Sequence, residues 1–285
     1  MTLCRSYLAM LSYERHGAGR TIVLIHGIGH RRQAWRDVIG LLSEDFDVIA
    51  IDLPGHGESP DVALDGRSAK DALRADLEGL LDHLGVSQPI IVGNSLGGLI
   101  ALEAGADRIA SSVVCLSPAG FWRTRIEFAY IRALFSTMIG AGRLLRPVAP
   151  RMAQTRTGLT VMFAWLAARP TRVRPEDALG DLDGLIRALP TLRGLFKQAY
   201  AFEAEIDLSI PVTIAWSAKD RVLFPGQRRR ARRMVRHADV FKLKGCGHVP
   251  MLDDPELVAQ TIRDHVAALP RRRRATAAVT VDVTA

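Results

Sequence analysis

The sequence lacks any apolar run long enough to cross a bilayer. Its longest runs, Thr21 to Ile25, Pro89 to Val92 and Val113 to Leu116, are strand-length, far below the roughly 20 residues a spanning helix needs. Near the N-terminus Arg5 and a short apolar patch are followed by Glu14, Arg15 and His16, with no signal-like apolar core and no clear cleavage site. The default expectation is a cytoplasmic protein with no transmembrane segment. Cysteine is scarce: Cys4, Cys115 and Cys246 are odd in number and share no metal-ligand spacing, which argues against a disulfide framework. Cys115 lies in an apolar run and reads as a buried thiol. Gly27-Ile28-Gly29 lacks the longer glycine pattern and the trailing Lys-Ser or Lys-Thr of a phosphate loop, so a nucleotide enzyme is not expected. His26, His30, Asp52 and His56 match no compact zinc signature, and local hydrogen bonds in glycine turns explain His26 and His56. Neither a metal nor a cofactor is expected.

What the chain does have is bulk. Its 285 residues, 48% of them hydrophobic, suffice for one large core with a smaller accessory domain. The net charge of +8 is unevenly placed. Arg228, Arg229, Arg230, Arg232, Arg233 and Arg236 crowd one helical segment at 226–236, and Arg271 to Arg274 form a run near the C-terminus. A basic surface attracts nucleic acid or anionic lipid. With no recognition module and no aromatic interleaving, these runs read as a solvated helix face and a disordered tail, so no specific nucleic-acid partner is expected.

The pattern along the chain is one of alternation. Residues 3–15 fit one or two edge strands. Thr21–Ile25, Phe46–Ile51, Ile90–Val92, Ser112–Leu116, Val212–Trp216 and Val240–Leu243 read as strands, several of them too continuously apolar to have a solvated face. Helix-length segments separate them. In the segment 68–84, Leu73, Leu77, Leu80, Leu81 and Leu84 lie on one stripe. This predicts an α/β fold with a mostly parallel central sheet covered by helices on both faces. From Phe121 the alternation stops, and candidate helices at 126–139, 159–168, 176–188 and 192–205 form a helical cap insertion. The expected organisation is a core of 1–120 and 207–270, a cap of 121–206 and a basic, disordered tail of 271–285. Large apolar side chains in the first two cap helices suit the walls of a pocket for a small hydrophobic molecule.

Chemistry enters at Ile90-Ile91-Val92-Gly93-Asn94-Ser95-Leu96-Gly97-Gly98, a strand that meets Gly-x-Ser-x-Gly and leaves as a helix. That context puts a serine hydroxyl at the apex of a strained turn. Asp220 and His248 also follow predicted strands, and in a parallel sheet those strand ends share one edge. The order Ser95, Asp220, His248 supplies a nucleophile, an acid to fix the imidazole tautomer and a base to take the serine proton. The tetrahedral intermediate needs donors as well. The Leu96 amide, at a helix N-terminus, and the Ile28 amide, in the loop after strand 21–25, are the candidates, each worth about 3 kcal/mol. His30, Asn94, Trp122 and Val249 are candidate pocket-lining residues.

Taken together, these motifs resemble the α/β-hydrolase superfamily in its lidded form over residues 10–268. His26-Gly27-Ile28-Gly29 is similar to its oxyanion loop, and Asp52-Leu53-Pro54-Gly55-His56-Gly57-Glu58-Ser59 to the turn after its next strand. Gly93–Gly98 is similar to its nucleophile elbow, Asp220 and Gly247-His248-Val249-Pro250 to its acid and histidine regions, and the helical insert falls where the family carries its cap. The resemblance implies a serine hydrolase. Relatives that open haloalkanes or epoxides use aspartate at the elbow, whereas serine stands here. Gly93-Asn94-Ser95 resembles the elbow of meta-cleavage product hydrolases, which cut carbon–carbon bonds in products of aromatic or steroid ring degradation. Their histidine is typically followed by tryptophan; here Val249 and Pro250 follow, as in many carboxylesterases, lactonases and cofactor-free haloperoxidase-like relatives. The expectation is therefore hydrolysis of an ester of a hydrophobic carboxylic acid through an acyl-enzyme. Carbon–carbon cleavage, perhydrolysis and a non-catalytic binding protein of the same fold are the alternatives.

Overall fold

Val, Ile and Leu fill the strands because both faces of the sheet are covered. In the computed structural model, which describes residues 10–61, 64, 66–198 and 200–269, seven strands form one sheet in the order β1-β3-β2-β4-β5-β6-β7. They are β1 (Tyr13–His16), β2 (Arg20–Ile25), β3 (Phe46–Ile51), β4 (Ile90–Asn94), β5 (Ser112–Leu116), β6 (Val212–Ser217) and β7 (Asp239–Leu243). β1 runs antiparallel to β3 at one edge, and the other neighbouring pairs are parallel. β4, which leads into Ser95, is the middle strand, and its Gly93 sits in register with Ile25 on one side and Cys115 on the other.

The helices in chain order are α1 (Arg36–Leu42), α2 (Ala69–Leu84), α3 (Leu96–Ala106), α4 (Arg125–Leu145), α5 (Ala149–Ala153), α6 (Arg156–Phe163), α7 (Pro175–Arg187), α8 (Leu189–Gln198), α9 (Pro225–Met234), α10 (Pro250–Asp253) and α11 (Pro255–Ala268). Period-2 alternation divides each strand between two apolar layers. Val23, Ile25, Ile91 and Val113 pack with Leu73, Leu77 and Leu80 of α2 and Leu99 and Leu102 of α3. Ile22, Leu24, Ile90 and Val114 pack with Val38 and Leu42 of α1 and Val258 and Ile262 of α11. Ser68 caps α2, its hydroxyl accepting the Asp71 N–H, and Gly85 closes the helix in the left-handed region at φ 64°, which favours glycine.

The helices α4 to α8 lie between β5 and β6 and make a helical cap insertion, but their ends differ from those expected. α4 runs past 139 to Leu145. Gly140 faces open space, and a Cβ on Gly142 would come within 2.8 Å of Leu182, so glycine there admits the neighbouring helix instead of ending its own. The helix expected at 159–168 starts at Arg156, where the Thr155 hydroxyl accepts the Gly158 N–H at 3.0 Å, and stops at Phe163. The helix expected at 192–205 begins at Leu189 and ends at Gln198. Pro190 sits in its first turn, where a missing N–H breaks no helical bond. Phe202 beyond it is buried, and its N–H bonds the Gly120 carbonyl at 3.0 Å.

The arginine-rich segment forms α9, and one of its arginines departs from a solvated face. Arg230 turns inward, donating to Glu127 of α4 at 2.7 Å and to the Phe121 carbonyl at 2.6 Å. Cys115 and Cys246 are buried free thiols, and burial raises the pKa of both, that of Cys246 to about 12. Cys4 and the tail expected at 271–285 lie outside the described residues. Among those described, no helix is long and apolar enough to cross a membrane.

Candidate active site

Ser95 occupies the turn between β4 and α3 with φ 54° and ψ −113°, a combination that L side chains rarely adopt. The geometry holds because helix and strand cross too closely for side chains at the flanking positions. A Cβ on Gly93 would overlap the Gly97 carbonyl, and one on Gly97 would overlap the Ile25 carbonyl. Three bonds fix the Ser95 backbone: its N–H donates to Leu116 at 3.0 Å, and its carbonyl accepts from Leu99 at 3.1 Å and from Ala119 at 2.9 Å.

The structure brings Asp220 and His248 together at the same sheet edge. His248 Nδ1 donates to Asp220 Oδ2 at 2.9 Å, and both side chains are buried. Asp220 Oδ1 accepts the N–H groups of Val222 and Leu223, each at 2.9 Å. Burial alone would raise the Asp220 pKa, but the facing His248 and the two backbone donors outweigh it and hold the carboxyl below its usual range. With its proton on Nδ1, the imidazole leaves a lone pair on Nε2. That atom has no hydrogen-bond partner among the described residues.

The loop after β2 leans over the serine: a Cβ on Gly27 would sit 3.0 Å from Ser95 Cβ. His26 braces this loop from beneath. Its Nε2 accepts the Leu53 N–H at 3.0 Å, so the ring proton is on Nδ1, which donates to the Gly27 carbonyl at 2.7 Å. Burial, above all, keeps this imidazole well below its ordinary pKa. His56 bonds the Pro54 carbonyl at 3.0 Å, and burial lowers its pKa to about 4. Asp52, wholly buried, accepts the Arg32 N–H at 2.7 Å and the Glu58 N–H at 3.1 Å and pairs with the Arg32 guanidinium. Among the described residues no three His, Cys, Asp or Glu side chains cluster as a metal site.

Two cavities meet here. The smaller, about 40 Å³, is lined by Ser95, Leu96, Ile28 and Trp122 together with Phe128, Val222 and others. The larger, about 370 Å³, lies mainly within the cap and includes Ile28, His30, Met138, Met162, Leu182 and Leu185 in its wall. Ile28 borders both. His30 lines the larger cavity and Trp122 the smaller, whereas Asn94 and Val249 line neither. The Asn94 side chain is wholly buried, donating to the carbonyls of Leu116 at 3.0 Å and His248 at 2.9 Å. Val249 is buried in the apolar layer beside Met251 and Val258. Asp181, whose Oδ2 accepts a bond from His30 Nδ1 at 2.9 Å, was not anticipated. Its signal in the sequence is a pair of carboxylates, Asp177 and Asp181, on the same stripe of α7 as buried Ala178 and Leu185.

Comparison with known proteins agrees with this architecture. A sequence profile of the alpha/beta hydrolase family matches residues 22–261. An uncharacterised protein of Mycobacterium tuberculosis strain H37Rv is 30% identical over 259 residues, covering 84% of this chain and 73% of that protein. Among solved structures, the epoxide hydrolase CorEH without ligand superposes with a TM-score of 0.71 at 22% identity, covering 91% of this chain and 95% of that one. A serine hydrolase involved in carbazole degradation, the CarC enzyme, does so with a TM-score of 0.70 at 19% identity, covering 90% of this chain and 94% of that one. At such identities the two structures share the fold alone. The profile match, which runs from β2 into α11, carries the further step: the chain belongs to the alpha/beta hydrolase family.

Proposed function

We propose that the protein is a serine hydrolase that cleaves an ester of a hydrophobic carboxylic acid through an acyl-enzyme on Ser95. The observation that carries this reading is the His248–Asp220 pair, whose free Nε2 stands at the sheet edge where Ser95 tops its strained turn. In the mechanism, His248 Nε2 takes the Ser95 proton as Oγ attacks the ester carbonyl, and Asp220 stabilises the imidazolium that forms. The Ile28 and Leu96 amides receive the developing oxyanion. His248 then protonates the departing alcohol, and the same nitrogen activates the water that releases the acid. The core of 1–120 and 207–270 supplies these groups, while the cap of 121–206 supplies the apolar walls that choose the substrate.

Labelling with a fluorophosphonate, read by intact mass and peptide mapping, tests the assignment. One adduct on Ser95 is expected, lost when His248 is replaced by alanine. No adduct, or an equal adduct in His248→Ala, would sink it. Carbon–carbon cleavage is the second reading, favoured by the Gly93-Asn94-Ser95 elbow. A panel of p-nitrophenyl esters of graded chain length run beside a meta-cleavage dienoate separates the two, with turnover of the esters expected.

A further inference from the structure

A second histidine–carboxylate pair stands in the wall of the 370 Å³ cavity, apart from Ser95. His30 Nδ1 donates to Asp181 Oδ2 at 2.9 Å, and Arg31 Nε lies 3.5 Å from Asp181 Oδ1. His30 is 2% exposed and Asp181 6%. The pair spans from the loop after β2 to the cap helix α7, which presents two glycines to that loop. A Cβ on Gly180 would overlap the Arg31 guanidinium, and one on Gly184 would lie 3.5 Å from the Gly29 carbonyl.

With Nδ1–H given to Asp181, His30 Nε2 presents a lone pair, and it has no hydrogen-bond partner among the described residues. Leaving a buried acceptor unmet costs about 1–3 kcal/mol. The neighbouring wall is mostly Leu, Met and Ala, and the Tyr130 hydroxyl is committed to the Arg221 carbonyl at 3.1 Å. A clamp between α7 and the core does not require this imidazole, since Arg36 already bonds Asp177 at 2.8 Å.

We propose that His30 Nε2, oriented by Asp181, accepts a hydrogen bond from a hydroxyl group on the apolar part of the substrate. The protein then selects hydroxylated acyl groups over plain hydrocarbon ones. A carbonyl or ether oxygen cannot donate and gains nothing here. This rests on the ester-hydrolase reading and deepens it.

The test uses p-nitrophenyl decanoate and a series of its hydroxylated analogues, with the hydroxyl moved along the chain. Wild-type protein is expected to show kcat/KM about tenfold higher for at least one hydroxyl position than for decanoate. In His30→Phe that ratio should fall to about one, whatever happens to the absolute rate. His30→Gln, which keeps an acceptor, should retain part of it. The same esters are titrated into Ser95→Ala by calorimetry, where the preference should appear in Kd. Ester turnover with no preference at any position, or a preference that survives in His30→Phe, overturns the role of His30 and leaves the hydrolase standing. Preferential binding to Ser95→Ala without turnover by wild type overturns the hydrolase and leaves His30. Neither turnover nor preferential binding overturns both.

Discussion

Asn94 Nδ2 donates to the carbonyl oxygen of His248 at 2.9 Å, so the residue that precedes Ser95 holds the backbone of the residue that pairs with Asp220. The same amide donates to Leu116 at the end of β5. Asn94→Ala removes both bonds; the Leu116 carbonyl keeps the Ser95 N–H, while the buried His248 carbonyl loses this donor, at a cost of about 1–3 kcal/mol. The expected outcome is a loss of about 2 kcal/mol in urea unfolding, with kcat down about tenfold and KM little changed. A variant with unaltered kcat would show that the amide braces the fold and not the position of His248.

Ser95 carries its strain in the backbone, at φ 54°. Replacing it with glycine removes the Cβ that makes the conformation costly, against which the freer unfolded chain offsets part of the gain. Ser95→Gly should therefore raise stability by about 1 kcal/mol while abolishing ester turnover. Gly93→Ala is the converse, because its Cβ would overlap the Gly97 carbonyl and backbone cannot swing aside. A loss of about 3 kcal/mol is expected. Thermal melts of the two variants check both signs.

Asp220 fixes the tautomer of His248, so Asp220→Asn should lower kcat by roughly three to four orders of magnitude with the fold intact. Because its pKa lies below the usual carboxylate value, Asp220 stays ionised throughout the range where histidine titrates. Ionisation of Asp220 should therefore contribute no limb to the kcat/KM profile across that range. Activity of Asp220→Asn within tenfold of wild type would mean that another acid serves the site.

Buried neutral histidines make folding sensitive to acid. Burial lowers the pKa of His56 and of His265 to about 4 and that of His26 well below its ordinary value. In the unfolded chain each titrates near 6.5, so below that pH the unfolded state binds more protons. Stability should fall as pH drops from about 6.5 toward 4 and flatten once the folded groups titrate. His265, which bonds Thr213 Oγ1 at 2.9 Å, lies away from the cavities. His265→Gln should make the slope shallower by about 1.4 kcal/mol per pH unit in that window, measured by urea unfolding at several pH values. An unchanged slope would exclude His265 as a contributor.

The parts legible in the sequence are those whose cause is local. β-branched runs announce strands, and glycines around Ser95 and His248 announce tight turns, because strand and turn preferences depend on the residue and its near neighbours. Helix ends in the cap were misread where the deciding neighbour is distant. Gly142 continues α4 because Leu182 needs the space, and Pro190 begins α8 instead of interrupting it. Asn94 ends β4 just before Ser95, and Val249 follows His248 in the loop after β7; no local pattern says that their side chains turn inward. The partner of His30 lies 151 residues away on a cap helix, beyond the reach of any spacing rule. Arg230 was hidden for the same reason, its carboxylate partner being on α4.

Ile28 stands between the chamber at Ser95 and the far larger one in the cap, with its side chain in the wall of both. A residue in both walls ties the shape of one space to that of the other. Trimming Ile28 to alanine would widen the junction between spaces of about 40 and 370 Å³ while leaving the backbone N–H of residue 28 in place. On the ester-hydrolase reading proposed above, one replaceable side chain would then change which molecules fit without any change to the groups around Ser95.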